Sequence, residues 1–352
     1  MQLAGDIHFR YLAEFARREL AAGGPDPHMR YVGWMSQRFP VAERFWMAGV
    51  YVSVYNTAAA EVIWQEWSLE SVLSRGLGLD QWLLANWPGI PLRRERRVVR
   101  TPLKLAKCLR SYARYADQIF RKVAATDVYE QSERYEWFWR DTREIFGFGR
   151  YARFKLLEFY RRYCELRAEL PDIRPTGGWS PRETLALIYP QHAEAIAPKS
   201  DKADAIRLSN QLALEVQRRL KIEEELDLDL FLLEVFLCDY KQSIIGKRQY
   251  PGRSNDSEME YRWKVEDWFG SDHPTQLWRA REALTPQECR GEVSGWRNVR
   301  KELGTVLADY GYTWSDLVLD YGRTGDLAHP VLRPMDHETL HSRALATLAT
   351  RT

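Results

Sequence analysis

Cysteine is scarce in this chain. Four residues, Cys108, Cys164, Cys238 and Cys289, are scattered through 352 positions without a CxxC pair, which argues against a thiolate zinc site or an iron–sulfur cluster and fits a reducing compartment. Histidine numbers only 7, and no HExxH, HxH or spaced carboxylate set accompanies it, so neither a protein-bound catalytic metal nor another cofactor is expected. No Walker loop occurs, which speaks against ATP-driven phosphorylation. A net charge of +2 neither demands nor excludes a polyanionic partner, so the distribution of charge matters more than its sum. The opening residues MQLAGDIHFR place no basic segment before an apolar core, and no signal peptide is expected. The one long apolar run, 45-FWMAGVYVSVYNTAAAEVIW-64, carries Ser53, Asn56, Thr57 and Glu61. Such groups are costly in lipid, so the run predicts a helix in the middle of a bundle and no membrane contact.

What the chain has in quantity is aromatic and helical. It holds 14 Trp and 18 Tyr among 45% hydrophobic residues, enough for a thick core and, in part, for stacking surfaces that would take bases. Apolar spacing of three and four recurs almost everywhere, and no alternating pattern is strong enough to build a sheet. The expected fold class is therefore all-α. Residues 9–22 set Tyr11, Leu12, Phe15, Ala16 and Leu20 on one face before Gly23-Gly24-Pro25 stops the helix. Helices are expected over 133–145, 150–167, 201–222 and 230–245, with a Pro- and Gly-rich loop at 170–181. One large catalytic domain over 1–335 is expected, with an N-terminal lobe 1–170, a C-terminal lobe 200–335 and a peripheral tail 336–352.

Two places gather chemistry. In 146-FGFGRYARFKLLEFYRRY-163, Gly147 and Gly149 precede a helix that starts near Arg150. A helix N-terminus exposes backbone N–H groups and a positive dipole end, and glycine lets an anion come close. Arg150, Arg153 and Lys155 add charge nearby, and 92-LRRERRVVRTPLKLAKCLR-110 supplies eight further basic residues against one acid. Together they suit a nucleic-acid backbone. The plainer alternative is that the glycines only ease an αα corner. The second place is 239–258, where Lys241, Lys247, Arg248 and Arg253 converge on Gly246, Pro251 and Gly252 beside Asp239 and Asp256. Lysine and arginine around glycines suit a phosphate or pyrophosphate, and a neighbouring carboxylate can take a proton from a nucleophile. A solvated charged loop is the alternative there. Asn56 is a candidate reader of a base edge, or equally a satisfied core amide.

The segment IFGFGRYARFKLL resembles the helix–hairpin–helix element of the DNA glycosylase superfamily. Asp172 is the nearest residue downstream to that superfamily's catalytic aspartate. Across residues 40–320, the blocks GVYVSVYNTAAAEVIWQEWS, FGFGRYARFKLLE, CDYKQSIIGKRQYPGRSNDSEMEY and GWRNVRKELGTVLADYGYTWSD resemble the amino acid:DNA transferases of bacteriophages, also described as alpha-glutamyl/putrescinyl thymine pyrophosphorylases. The resemblance implies double-stranded DNA carrying a pyrophosphorylated 5-hydroxymethyluracil as substrate, a free amino acid or polyamine as donor, and the cytoplasm of an infected bacterial host as location. In that chemistry Lys241, Lys247, Arg248 and Arg253 would stabilise departing pyrophosphate, and Asp239 or Asp256 would free the amine. Arg300 would clamp the donor's carboxylate. Trp64, Tyr250 and Trp296 would wall a flipped base. Gly147, Gly149, Arg150 and Arg153 would hold the strand. Excision by a glycosylase and non-catalytic DNA binding are the competing expectations.

Overall fold

Periodic apolar spacing becomes helix over most of the described chain, although the helix expected over 150–167 stops at Tyr163, just before Glu165 takes a left-handed φ of 62°, and the one expected over 133–145 ends at Asp141. The computed structural model describes residues 2–21, 26, 29, 32, 33, 36, 37, 39–55, 57–74, 78–87, 101–174, 178–197 and 202–244. Among these residues every regular element is helical, as the sequence predicts, and no helix is long and apolar enough to cross a membrane. The described chain divides into two compact units, one built from 2–21 with 172–244 and the other from 26–171.

In the first unit, α1 (Gln2–Ala21) lies against α10 (Trp179–Ile188) and α12 (Leu230–Ile244), with α11 (Ala203–Glu223) completing the core. Phe9, Leu12, Phe15 and Ala16 of α1 meet Leu185, Ile188, Val216, Leu220, Phe236 and Tyr240. Phe15 stands edge-on to Phe236 and Tyr240. Leu20, expected on the core face, is left 37% exposed in the last turn, while Glu19 is buried. A Thr184 hydroxyl donates to the Leu237 carbonyl at 2.6 Å and ties α10 to α12. His8 hydrogen-bonds the Tyr240 hydroxyl at 3.0 Å, and burial lowers its pKa to about 4, so the ring is neutral at neutral pH.

The second unit is organised round α2 (Val41–Val54), of which every residue from Phe45 to Val54 is buried. The expected single helix over 45–64 is two. Tyr55 takes the left-handed conformation (φ 50°, ψ 38°), its N–H closes on the Tyr51 carbonyl at 2.6 Å, and α3 (Thr57–Glu66) starts afresh. Four helices follow: α4 (Leu69–Ser74), α5 (Gly78–Asn86), α6 (Pro102–Asp117) and α7 (Ile119–Ala125). Next, α8 (Gln131–Asp141) and a short turn of 3₁₀ helix at Thr142–Glu144 lead through the glycine corner into α9 (Arg150–Tyr163). The small residues of α2 form the seam for α6. Gly49 receives the Tyr112 ring, and the Ser53 hydroxyl donates to the Gly49 carbonyl at 2.7 Å and lies 3.6 Å from the Cys108 sulfur. Tyr112 donates to the Phe45 carbonyl and sits 2.6 Å from the Tyr160 hydroxyl, which links α2, α6 and α9.

A Cβ at residue 49 would overlap the Tyr112 ring. Gly49→Ala is therefore expected to destabilise this unit by about 1–3 kcal/mol, read as a lowered urea midpoint with an unchanged slope.

Candidate functional site

The corner between α8 and α9 is built by a few specific contacts. Gly147 adopts φ 82°, a left-handed conformation that glycine enters without a Cβ penalty. Phe148 turns inward and stacks on Tyr112 at 5.9 Å. The Phe146 N–H donates to the Ser111 hydroxyl at 2.9 Å, which pins the corner to α6. Gly149 is the N-cap of α9, makes no side-chain cap, and a Cβ built there meets nothing within 4 Å. The first turn of α9 holds no acid, so no carboxylate of that turn offsets the positive end of its dipole beside Arg150. Gly147 and Gly149 are both exposed, and Arg150 is half-buried, 5.9 Å from the Phe154 ring. Arg153 turns inward instead, donating to the Trp139 carbonyl at 2.7 Å and lying 4.2 Å over its ring. That contact ties α9 to α8.

Behind the corner lies a buried charge cluster that joins one side of α9 to Asp26 and Tyr55. Tyr151, Lys155, Glu158 and Arg162 fall at i, i+4, i+7 and i+11 and share one side of α9. The Lys155 ammonium reaches Glu158 at 2.9 Å and Asp26 at 3.2 Å, and all three side chains are under 10% exposed. Arg162 closes the far side of Glu158 at 3.2 Å. Asp26 also accepts from the Met29 N–H at 3.0 Å and the Tyr55 hydroxyl at 2.9 Å, and the Tyr51 hydroxyl stands 3.3 Å away. Tyr151 donates to Tyr55 at 2.6 Å. Burial pulls the Lys155 pKa down, but the carboxylates of Glu158 and Asp26 outweigh it and hold the ammonium well above the usual lysine range. Lys155 thus differs from its sequence expectation. It belongs to the interior of this unit and is not part of an outward positive stripe.

Sequence reasoning missed Asp26, Tyr55, Tyr151 and Glu158. The spacing along α9 carried a signal for its own members, whereas nothing local marked Asp26. Glu61 on α3 stands out in the sequence only as a group costly in lipid. Burial lifts its carboxyl to about 8, against a smaller opposing pull from the hydrogen bond that Gln65 donates at 3.1 Å. An acid that keeps its proton at neutral pH can donate a hydrogen bond or a proton to a bound group.

The remaining candidate residues fall as follows. Trp64 is buried on α3, edge-on to Phe39 at 6.0 Å. On α12 of the other unit, Asp239 is 2% exposed, and the half-buried Lys241 ammonium donates to Glu183 of α10. Asp172 accepts from the Arg174 N–H at 2.7 Å in a local turn where Arg174 has φ 50°. Asn56, Lys247, Arg248, Tyr250, Arg253, Asp256, Trp296 and Arg300 lie outside the described residues. Among those described, no group of three or more His, Cys, Asp or Glu residues is placed to hold a metal ion.

Two measurements test this arrangement. Lys155→Met leaves two buried carboxylates facing one another and is expected to cost about 3–5 kcal/mol in chemical denaturation. Because the folded Glu61 pKa of about 8 lies above the ordinary 4.5, its protonated form stabilises the fold fully below 4.5, and that contribution is lost as pH rises to about 8. Glu61→Gln is expected to remove a fall of up to about 1.4 kcal/mol per pH unit across that window, measured by urea midpoints against pH.

A family model described as amino acid:DNA transferase matches residues 26–249, a span that takes in the corner, the Lys155 cluster and α12. No curated protein and no solved structure matches the chain. With well over half its length matched, the chain belongs to the amino acid:DNA transferase family.

Proposed function

We propose that the chain joins the amine of an amino acid or polyamine to the exocyclic 5-methylene carbon of pyrophosphorylated 5-hydroxymethyluracil in double-stranded DNA, with release of pyrophosphate. The observation that carries the reading is the family match over residues 26–249, which implies amino acid transfer onto DNA and so a helical protein that must hold a polyanion. The corner supports it. An uncapped helix end, a bare glycine edge and Arg150 form a surface that suits a strand phosphate, in the manner of a helix–hairpin–helix. Arg153 shapes that surface from behind by holding Trp139.

In the reaction, the carbon–oxygen bond to pyrophosphate breaks with its electron pair leaving on the oxygen, and the amine nitrogen forms a bond to the methylene carbon, either in the same step or after pyrophosphate has departed. The ammonium of the donor first loses a proton, for which Asp239 or Asp256 is the assigned carboxylate. Lys241, Lys247, Arg248 and Arg253 stabilise the multiple charge that collects on the leaving group. Lys241 already shares its charge with Glu183, so the residues of 247–253 carry the larger part. Asn56 reads the base edge. Trp64, Tyr250 and Trp296 wall the flipped base, and Arg300 receives the donor's carboxylate.

The test is incubation with pyrophosphorylated 5-hydroxymethyluracil DNA and a mixture of the twenty amino acids and putrescine, followed by nucleoside mass spectrometry. An aminated thymidine is the expected product. An abasic site would assign excision instead, and unchanged nucleosides with retained DNA affinity would leave a binding protein. Arg253→Ala is expected to lower turnover at least about 100-fold with DNA affinity within about threefold of the parent. Full activity in that variant would remove the arginine from the leaving-group site.

A further inference from the structure

Helix α6 carries a stripe of exposed cations on the side away from its buried face. Lys104, Lys107, Ser111 and Arg114 fall at i, i+3, i+7 and i+10, which places them on one side of the helix. The three cations are exposed, while Leu105, Ala106, Cys108, Leu109, Tyr112 and Ala113 bury the opposite side. Arg110, the remaining cation of α6, is taken up by Asp80 of α5. Asp117, in the last position, is the single acid of the helix.

The stripe runs beside the glycine corner. Ser111, at its middle, accepts the Phe146 N–H at 2.9 Å, and the Lys107 ammonium lies 4.2 Å from the centre of the Phe146 ring. Phe146 is itself 37% exposed. From Lys104 to Arg114 the helix rises about 15 Å at 1.5 Å per residue, enough to pass several phosphates of one strand. Lys104 and Lys107, three residues apart, cost the helix a few tenths of a kcal/mol in mutual repulsion, and the single acid of the helix, Asp117, lies a turn beyond Arg114 at the far end. A polyanion laid along the stripe would relieve that repulsion.

We propose that Lys104, Lys107 and Arg114 form a DNA-backbone track that continues the strand beyond the glycine corner, with the Phe146 ring as an apolar contact for a deoxyribose between them. The assignment rests on DNA being the substrate. It adds a second stretch of contacts, on a different helix, to those at the start of α9. Phosphate contacts of this kind set register and orientation and carry no sequence information. The track therefore fits an enzyme that finds one modified base in varied sequence.

The experiment measures binding of the full-length protein to an unmodified duplex of about 20 base pairs by fluorescence anisotropy over a salt series. Each phosphate that the protein ceases to neutralise lowers the slope of log affinity against log salt by about 0.9. The combined variant Lys104→Ala, Lys107→Ala, Arg114→Ala is expected to flatten the slope by about 2–3 and to weaken binding at least about tenfold near physiological salt. Removing three cations of α11 in the other unit (Arg207, Arg218 and Lys221) should leave the slope as it was. Lysine acetylation followed by mass spectrometry reads the parent protein directly, and DNA is expected to protect Lys104 and Lys107. An unchanged slope, or lysines acetylated equally with and without DNA, overturns the track while DNA binding by the parent stands. A parent that binds no DNA, or that binds phosphatidylserine vesicles in its place, overturns the track and the substrate reading together.

Discussion

A lysine ammonium closed off from water between two carboxylates is the constraint on which the 26–171 unit is built. Moving such an ion out of water costs several kcal/mol even after relaxation, and only close, well-aligned counter-charges offset it. Lys155 has them in Glu158 and Asp26, and Glu158 is steadied in turn by Arg162. Because Asp26 also accepts from Met29 and Tyr55, the cluster fixes more than a charge. It holds the left-handed turn at Tyr55 that divides α2 from α3, and through Tyr151 it fixes the start of α9. A shift in any one of these segments would leave a buried charge without its partner, so they are held in register together.

The glycine corner inherits that rigidity. Its inner side is fully committed: Phe148 stacks on Tyr112, Arg153 covers Trp139, and Ser111 holds the Phe146 amide. Its outer side is bare at Gly149. We propose this surface as the seat of a strand phosphate, and a corner held by that many contacts would give up little conformational entropy on binding it. The exposed cations of α6 border the same corner, and they reach it through Phe146 and Ser111 instead of through the backbone of α9.

The helices were legible where local periodicity decided them. The spans 201–222 and 230–245 read from spacing became Ala203–Glu223 and Leu230–Ile244. The 45–64 run read as one element because each half is apolar all round, and the break between them is made by Tyr55 hydrogen-bonding to an aspartate in a distant segment. Gly49 and Ser53 read as a small polar stripe and form the seam for the Tyr112 ring. Lys155 followed two arginines and read as one more surface cation, since a lysine's burial depends on counter-charges that the local sequence does not contain. Much of the expected chemistry, from Lys247 to Arg300, lies outside the described residues. For Asp239 and Lys241 the helix was legible and the Glu183 partner was not.

The long-range closure of α1 has a consequence for synthesis. Its apolar face is covered by α10, α11 and α12, and the last of these ends at Ile244. At ribosomal rates of about 5–20 residues per second, roughly ten to forty-five seconds pass between the emergence of α1 and that of its final partner. Over the same interval residues 26–171, which hold every described residue of the second unit, leave the ribosome. The described helices of the second unit are thus made while the first helix still waits with Phe9, Leu12 and Phe15 uncovered by their partners on α11 and α12.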